Sequence, residues 1–377
     1  MESNAALEQA IENNPDDKAS YSVLADWLQT RGDPRGELIA LQLSGADGAE
    51  LMKKHADAFL GDLAEHAQTH DGEGRETFTW KYGFIDSARL THNHYLANDK
   101  VELADVLRTL LAHPSGRFLR EITFTFNNDP NEHNLQSLID VLAEKPRPTL
   151  RSLHFGDFKY AGAAREEDRG EDTEISWYSV GNLAELWKHT PNLERVIIQT
   201  GSAESAMAGG TQLGEIALPK LRHFEYRTGG LEQVNAQAIA TMRTPALEHL
   251  DVWFGSESYG GDAGPDVVDT ILARTDLPKL RHLGIMNCAF VDGLVPDFAR
   301  SPLVARLAEL DLSLGCLTDE GAAAFAENRA GFERLEQLDV QYNMLSSDGL
   351  ATLREVAKKV IDEHQRSGED HYVAVGE

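Results

Sequence analysis

Apolar residues along the last two thirds of the chain recur in one figure, with side chains at offsets 0, 3 and 5 and mostly polar residues between them. The fullest instance is FERLEQLDVQYNMLSSDGL (332–350): Leu335, Leu338 and Val340 are followed by Asn343 at offset 8 and Leu345 at offset 10. Seven more precede it: Leu119-Ile122-Phe124, Leu150-Leu153-Phe155, Leu193-Val196-Ile198, Leu221-Phe224-Tyr226, Leu247-Leu250-Val252, Leu280-Leu283-Ile285 and Leu307-Leu310-Leu312. Their first positions are 31, 43, 28, 26, 33, 27 and 28 residues apart, a rhythm that scattered leucines would not produce. The step from offset 3 to offset 5 is strand periodicity, which turns those residues to one face and offsets 2, 4 and 6 to the other. Pro148, Pro191, Pro219, Pro245 and Pro278 stand just before five of the figures, where a missing N–H interrupts no ladder.

The figure is the leucine-rich-repeat pattern L-x-x-L-x-L-x-x-N-x-L. One such unit cannot bury its own apolar face, so units must stack. The pattern predicts an α/β solenoid: a horseshoe with a parallel concave sheet, convex helices and a small helical N-terminal domain. Connectors read as helices, most clearly Thr318–Ala326, where Thr318 is an N-cap candidate with acidic residues in the first turn. LTDEGAAAFAEN resembles the helix-containing, ribonuclease-inhibitor-like class of these repeats. Asn343 is expected to satisfy buried backbone groups where the chain turns.

Residues 1–45 follow a different pattern. Leu7, Ala10 and Ile11 fit one face of a short helix, and Tyr21, Leu24, Ala25 and Leu28 the face of a second. Pro34 can open a third carrying Leu38, Ile39, Leu41 and Leu43. The stretch LEQAIENNPDDKASYSVLADWLQTRGDPRGELIALQ resembles the short repeat-companion domain of bacteria over roughly residues 5–43. That domain precedes leucine-rich repeats, carries a core like ADWLEERGDPRGEFIRLQ, and brings no established catalytic activity. Asp26, Trp27, Arg31, Asp33, Arg35 and Glu37 could be taken for a charged site, but turn and capping chemistry accounts for each residue type. Residues 46–75 read as a helical connector and 76–350 as about eight repeats opened by strands in TFTWKYGFIDSARL (77–90). Residues 351–377 read as a C-terminal cap: an amphipathic helix in LREVAKKVIDEHQRS, then Tyr372–Val375 as a last strand over the open end.

Charge narrows the function. With 35 basic and 62 acidic residues in 377, the net charge of −27 disfavours nucleic acid and anionic membranes, and suits solubility or a basic protein partner. Two cysteines give no disulfide framework; Cys288 falls at offset 8, an inward position that accepts Asn or Cys, and Cys316 beside a turn. No basic-then-apolar leader is visible, so the cytoplasm is the expected compartment. No Ser-His-Asp set, phosphate-cradling glycine loop or zinc-ligand spacing stands out, and His92-Asn93-His94 reads as a loop.

Two features of the outward positions invite function. Offset 6 places Trp253 between Arg227 and Met286, the composition of an interface hot spot, with Glu225 and Asp251 nearby. Offset 2 places His223, His249 and His282 on successive strands beside Glu225, Asp251, Asp311 and Asp339, an array able to bind a metal or change charge near pH 6. Shared repeat position alone would also align those histidines, and a flat ladder seldom converges as metals need. The two long spacings place extra residues after the Leu150 and Leu247 strands, including the acidic 165–174 with Trp177, and 256–264 with Tyr259; such insertions often line a binding rim. The expected function is therefore a non-enzymatic protein-interaction scaffold without a cofactor, its partner held on the concave face and one rim. The alternative is a metal- or pH-responsive regulator using the histidine ladder.

Overall fold

Strand periodicity in the repeats becomes one twisted sheet whose order follows the chain. The computed structural model describes residues 3–67, 76–91, 102–125, 134–160, 163–170, 174–202, 210–367 and 372–376; His92, Asn93 and His94 lie outside them. The strands are β1 (Phe78–Lys81), β2 (Phe84–Leu90), β3 (Glu121–Phe124), β4 (Ser152–Phe155), β5 (Arg195–Gln199), β6 (His223–Arg227), β7 (His249–Gly255), β8 (His282–Cys288), β9 (Glu309–Asp311), β10 (Gln337–Asp339) and β11 (Lys359–Ile361). They lie side by side from β1 to β11, antiparallel only between β1 and β2. Each of the eight apolar figures supplies one strand from β3 to β10, in register: Leu250 sits beside Leu283, which sits beside Leu310.

The residues at offsets 0, 3 and 5 form one continuous buried core from Leu119 to Val340. Helices such as Gln136–Ala143, Pro265–Leu272 and Asp319–Glu327 cover its convex side. Thr318 caps the last of these as expected, accepting from the Glu320 N–H at 3.2 Å, and its own N–H donates to Asp292 of the preceding repeat at 2.9 Å. Asp319 holds Ser346 of the next repeat in the same way. A side chain one repeat back thus positions the start of the next helix, which satisfies donors that a helix end leaves free. Connectors are less uniform than the pattern suggested: among its described residues, the one between β5 and β6 contains no helix.

The N-terminal helices α1 (Ala5–Asn13), α2 (Lys18–Gln29) and α3 (Pro34–Leu43) pack directly on the first strands. Tyr21, Phe84 and Phe118 form an aromatic core between them, with the Phe84 and Phe118 rings edge to face at 4.6 Å. Arg35 is 1 % exposed and inserts across this boundary. It donates to Ser115 Oγ at 2.9 Å, to the Ala58 carbonyl at 3.3 Å and to the Gly83 carbonyl. Asp33 caps α3, accepting from the Arg35 N–H. Within the charged motif, Asp33 thus serves as a helix cap and Arg35 as a docking contact.

The C-terminal end differs from the expected helix and last strand. The helix Ser347–Leu353 stops early, and the Lys358-Lys359-Val360-Ile361 stretch supplies β11, which pairs with β10 and covers the stack. A strand fits here because β10 leaves a row of backbone groups to be paired, a stronger demand than the weak helical pattern of 354–365. Tyr372–Gly376 does not extend the sheet. It doubles back, and the Ala374 N–H donates to the Leu314 carbonyl at 2.8 Å.

Candidate functional site

Parallel register sets His223, His249 and His282 on directly opposed positions of β6, β7 and β8. Their rings stack with centroids 4.1 and 3.8 Å apart and planes within 11° and 8° of parallel. Strand periodicity puts Glu225 and Asp251 two residues further on, on the same face. Asp251 bridges two rings, accepting from His249 Nε2 and His282 Nε2 at 2.8 Å each, while His223 meets Glu225. Gly284 makes this reach possible, since a Cβ there would lie 2.2 Å from Asp251 Oδ1. His282 Nδ1 also lies 3.0 Å from Glu309, so both its nitrogens face carboxylates and both must donate.

Electrostatics follow from these pairings. Burial works against a charged His282, but Asp251 and Glu309 outweigh it and raise its pKa to about 9. Burial likewise opposes ionised Glu225, yet the His223 hydrogen bond and the Arg227 charge hold it at about 2. Asp251, also desolvated, is held well below the carboxylate range by His249 and His282. Two triplets, His223-Glu225-His249 and His249-Asp251-His282, bring possible ligand atoms within 4.8 Å of one another. The stacking argues against a shared ion. Parallel rings send their Nε2 lone pairs in parallel directions, so no ion can lie in the planes of two rings at once, as imidazole coordination requires.

The Trp253 surface must be corrected. Offset 6 does point to the concave face, but Trp253 and Met286 are each only 2 % exposed. The long insertion after β4 crosses the sheet instead of hanging from a rim, and the C-terminal segment meets it there. Tyr160, Ile175 and Val375 close over Trp253, Met286 and Leu314 as a second small core. Lone outward aromatics are stable where something covers them, and the insertion and tail carry the apolar residues that do so. Arg227 stays at the edge of this roof, donating from Nε to Glu225 at 2.9 Å.

The insertion also delivers a cation. Arg165 Nη2 donates to Ser313 Oγ at 3.1 Å, above the neighbouring carboxyls Asp311 and Asp339 of β9 and β10. Burial, then the charge of Asp311, raises Asp339 to about 7, while the Gln341 N–H and Arg165 act the other way. Asp311 is raised as well, by burial and by the charge of Asp251, so the two carboxyls hold protons in the fold together and stability falls as pH rises above about 4. Asp339→Asn keeps the acceptor for the Gln341 N–H, which lies 3.0 Å away. It is expected to raise the unfolding free energy by on the order of 2 kcal/mol at pH 8 and by almost nothing at pH 4. Urea denaturation at both pH values checks this; an equal change at both would refute the assignment.

The second insertion does stand on a rim. With the start of the Gln233–Ala240 helix it bounds an open groove of about 830 Å³, lined by Glu232, Gln233, Val234, Glu257, Gly261 and Asp262 among others. Val234 is 68 % exposed, unusual for a valine, and three carboxylates line the same groove. Tyr259 sits in the short turn Glu257–Tyr259 beside this groove, its carbonyl accepting from Ser202 Oγ at 2.6 Å. Trp177 is exposed on the first insertion, away from the groove lining. Val234 and Glu232 carried no signal in the repeat pattern, because they lie in a connector; the Leu247 insertion beside them was the only pointer.

One strand per repeat, strict parallel order and a buried Asn343 at the turn define a leucine-rich-repeat solenoid. No protein-family model and no curated protein matches the chain. Among solved structures, a Bacteroides fragilis protein is similar at 22 % identity and TM-score 0.63, covering 87 % of this chain and 86 % of its own. That likeness is one of fold. The TLR13–ssRNA13 complex (14 % identity, TM-score 0.34, 71 % of this chain and 35 % of its own) is more distant. So is internalin InlF of Listeria monocytogenes (9 % identity, TM-score 0.27, 72 % and 88 %). At those scores neither carries an argument. No described helix is long and apolar enough to cross a membrane.

Proposed function

We propose that this chain is a non-enzymatic protein-interaction scaffold whose partner docks on the rim groove between the Gln233–Ala240 helix and the 256–264 insertion. The observation that carries the reading is exposed Val234 in a groove that Glu232, Glu257 and Asp262 also line. An apolar anchor with an acidic border fits a partner presenting an apolar residue beside Lys or Arg, and the net charge of −27 would steer such a partner inward. The open offset-2 row, from Arg195 through the three histidines to Glu309, offers a second contact on the concave face. In this reading the N-terminal helices act as the companion-type cap that their sequence resembles, and the repeats belong to the ribonuclease-inhibitor-like class.

Affinity capture from the native source tests the proposal, comparing wild type with Val234→Arg/Glu257→Lys. Both residues are exposed, so the fold should survive. A protein held by wild type and released by the variant is the expected result. Retention by both, with loss on Arg195→Glu, would move the site to the concave strip. Recovery of nothing specific by wild type would count against a scaffold.

A further inference from the structure

The segment Tyr372–Gly376 lies over β7–β9 and is held there largely through its main chain. The Asn287 side chain, fully buried, pairs with both backbone groups of a single residue as a neighbouring strand would: Oδ1 accepts from the Val375 N–H at 2.9 Å and Nδ2 donates to the Val375 carbonyl at 2.6 Å. With the Ala374 N–H on the Leu314 carbonyl, these contacts are made to main chain and are blind to side-chain identity. Sequence is read at two places. Val375, 1 % exposed, fills the apolar cleft of Trp253, Met286 and Leu314. Gly376 passes so close that a Cβ on it would lie 2.6 Å from the Tyr259 ring, and one on Gly229 would lie 2.1 Å from the Gly376 carbonyl.

Asn287, Leu314 and Tyr342 hold the same left-handed backbone conformation at offset 7 of successive repeats, with φ of 51°, 66° and 56°. The turn geometry therefore belongs to the repeat, and the amide belongs to β8 alone among these three. Emptied, the cleft would leave that amide without its two best partners and would wet Trp253 and Met286, so it favours being filled.

We propose that this cleft is a binding site for an extended peptide segment bearing a small branched apolar residue followed by glycine, and that Tyr372–Gly376 is its resident occupant, exchangeable for such a segment of a partner protein. The proposal deepens the scaffold reading, on which it rests for the existence of a partner, by naming a second site and what it takes. A tethered occupant works at high effective concentration, so the intact chain resists peptides in solution and yields to one delivered by a partner already docked elsewhere.

The test uses a labelled synthetic peptide, HYVAVGE, and fluorescence anisotropy against three proteins: the intact chain, a chain truncated after residue 367, and the full-length Gly376→Ala variant. That variant crowds the Tyr259 ring and loosens the tail without shortening the chain, which covers the case in which truncation impairs folding. Binding to the truncated and Gly376→Ala proteins at least about tenfold tighter than to the intact chain is expected. Peptides carrying Asp in place of the Val375 residue, or Ala in place of Gly376, should bind at least about tenfold more weakly, as should the parent peptide to truncated Asn287→Ala. Absence of binding to both opened proteins would overturn the proposal. A full-length dimer that exchanges tails, seen by size-exclusion chromatography and lost on truncation, would assign the cleft to a second copy of this chain and overturn the partner role. Val234→Arg alone, which lies outside the Glu257–Tyr259 turn, should leave peptide binding unchanged, so the fate of the rim proposal is read separately.

Discussion

Arg35→Met is expected to lower the unfolding free energy by about 2–4 kcal/mol. Among the described residues the Arg35 guanidinium forms no ion pair with a carboxylate, although the charge of Asp33 favours its protonated form. It serves the Gly83 carbonyl, the Ala58 carbonyl and Ser115 Oγ, and lies 5.0 Å from the centre of the Phe84 ring. Burial lowers its pKa to about 10, so it remains charged at neutral pH inside a dry boundary. Desolvating that charge is costly, which moderates the net effect of removing it. Methionine restores the packing but orphans the acceptors, each worth roughly 1–3 kcal/mol when buried without a partner. Arg35→Lys should recover only part of the loss, since one ammonium cannot span three acceptors that face a planar fork. Urea denaturation followed by far-ultraviolet circular dichroism reads the change. An Arg35→Met midpoint equal to wild type would show that the contacts add nothing.

Asn343→Leu is the second large effect, with about 3 kcal/mol of stability expected to be lost. Asn343 is fully buried at the turn after β10, accepting from the Leu317 N–H at 2.8 Å and donating to the Leu312 carbonyl at 2.8 Å and the Val340 carbonyl at 3.1 Å. Leucine matches the branching of asparagine but is bulkier and offers none of these bonds, so the loss combines unpaired backbone groups with overpacking, and no cavity forms. Leu312 and Leu317 belong to the preceding repeat, and the damage is therefore to the joint between repeats. Thermal unfolding monitored by calorimetry measures it; a shift of under a degree would mean that water satisfies these groups instead.

Both residues were readable from the sequence, to different depths. Asn343 stood at offset 8 of the repeat pattern, and its geometry is what that pattern requires. Arg35 was visible only as part of a turn-rich motif; its acceptors lie 23, 48 and 80 positions away, and nothing local announces them. The core was legible for the same reason that Asn343 was: burial at offsets 0, 3 and 5 is a property of each repeat taken singly. Trp253 shows the opposite case. Periodicity gave its direction correctly and could not give its exposure, because exposure depends on where Tyr160, Ile175 and Val375 come to rest. Tyr160, Ile175 and Val375 were in plain view as apolar residues without a place in the figure, and such residues need a surface to cover. At the C-terminal end, the pairing demand of β10 overrode a weak helical pattern, which no reading of 354–365 alone could weigh.

Stacked repeats touch only their nearest neighbours, so such an array can in principle melt from one end, unit by unit. This chain is stitched across that direction. Asn287 and Val375 join positions 88 residues apart, and Arg165 reaches Ser313 across 148. The insertion of one early repeat and the tail beyond the last repeat thus fasten the same middle strands. Losing the final repeats would also lift the tail from β8, and lifting the insertion would bare the turn of β9. The unit that opens and closes together is therefore larger than a repeat: from β4 onward the molecule behaves less like a zipper than like a laced boot, in which no eyelet comes free by itself.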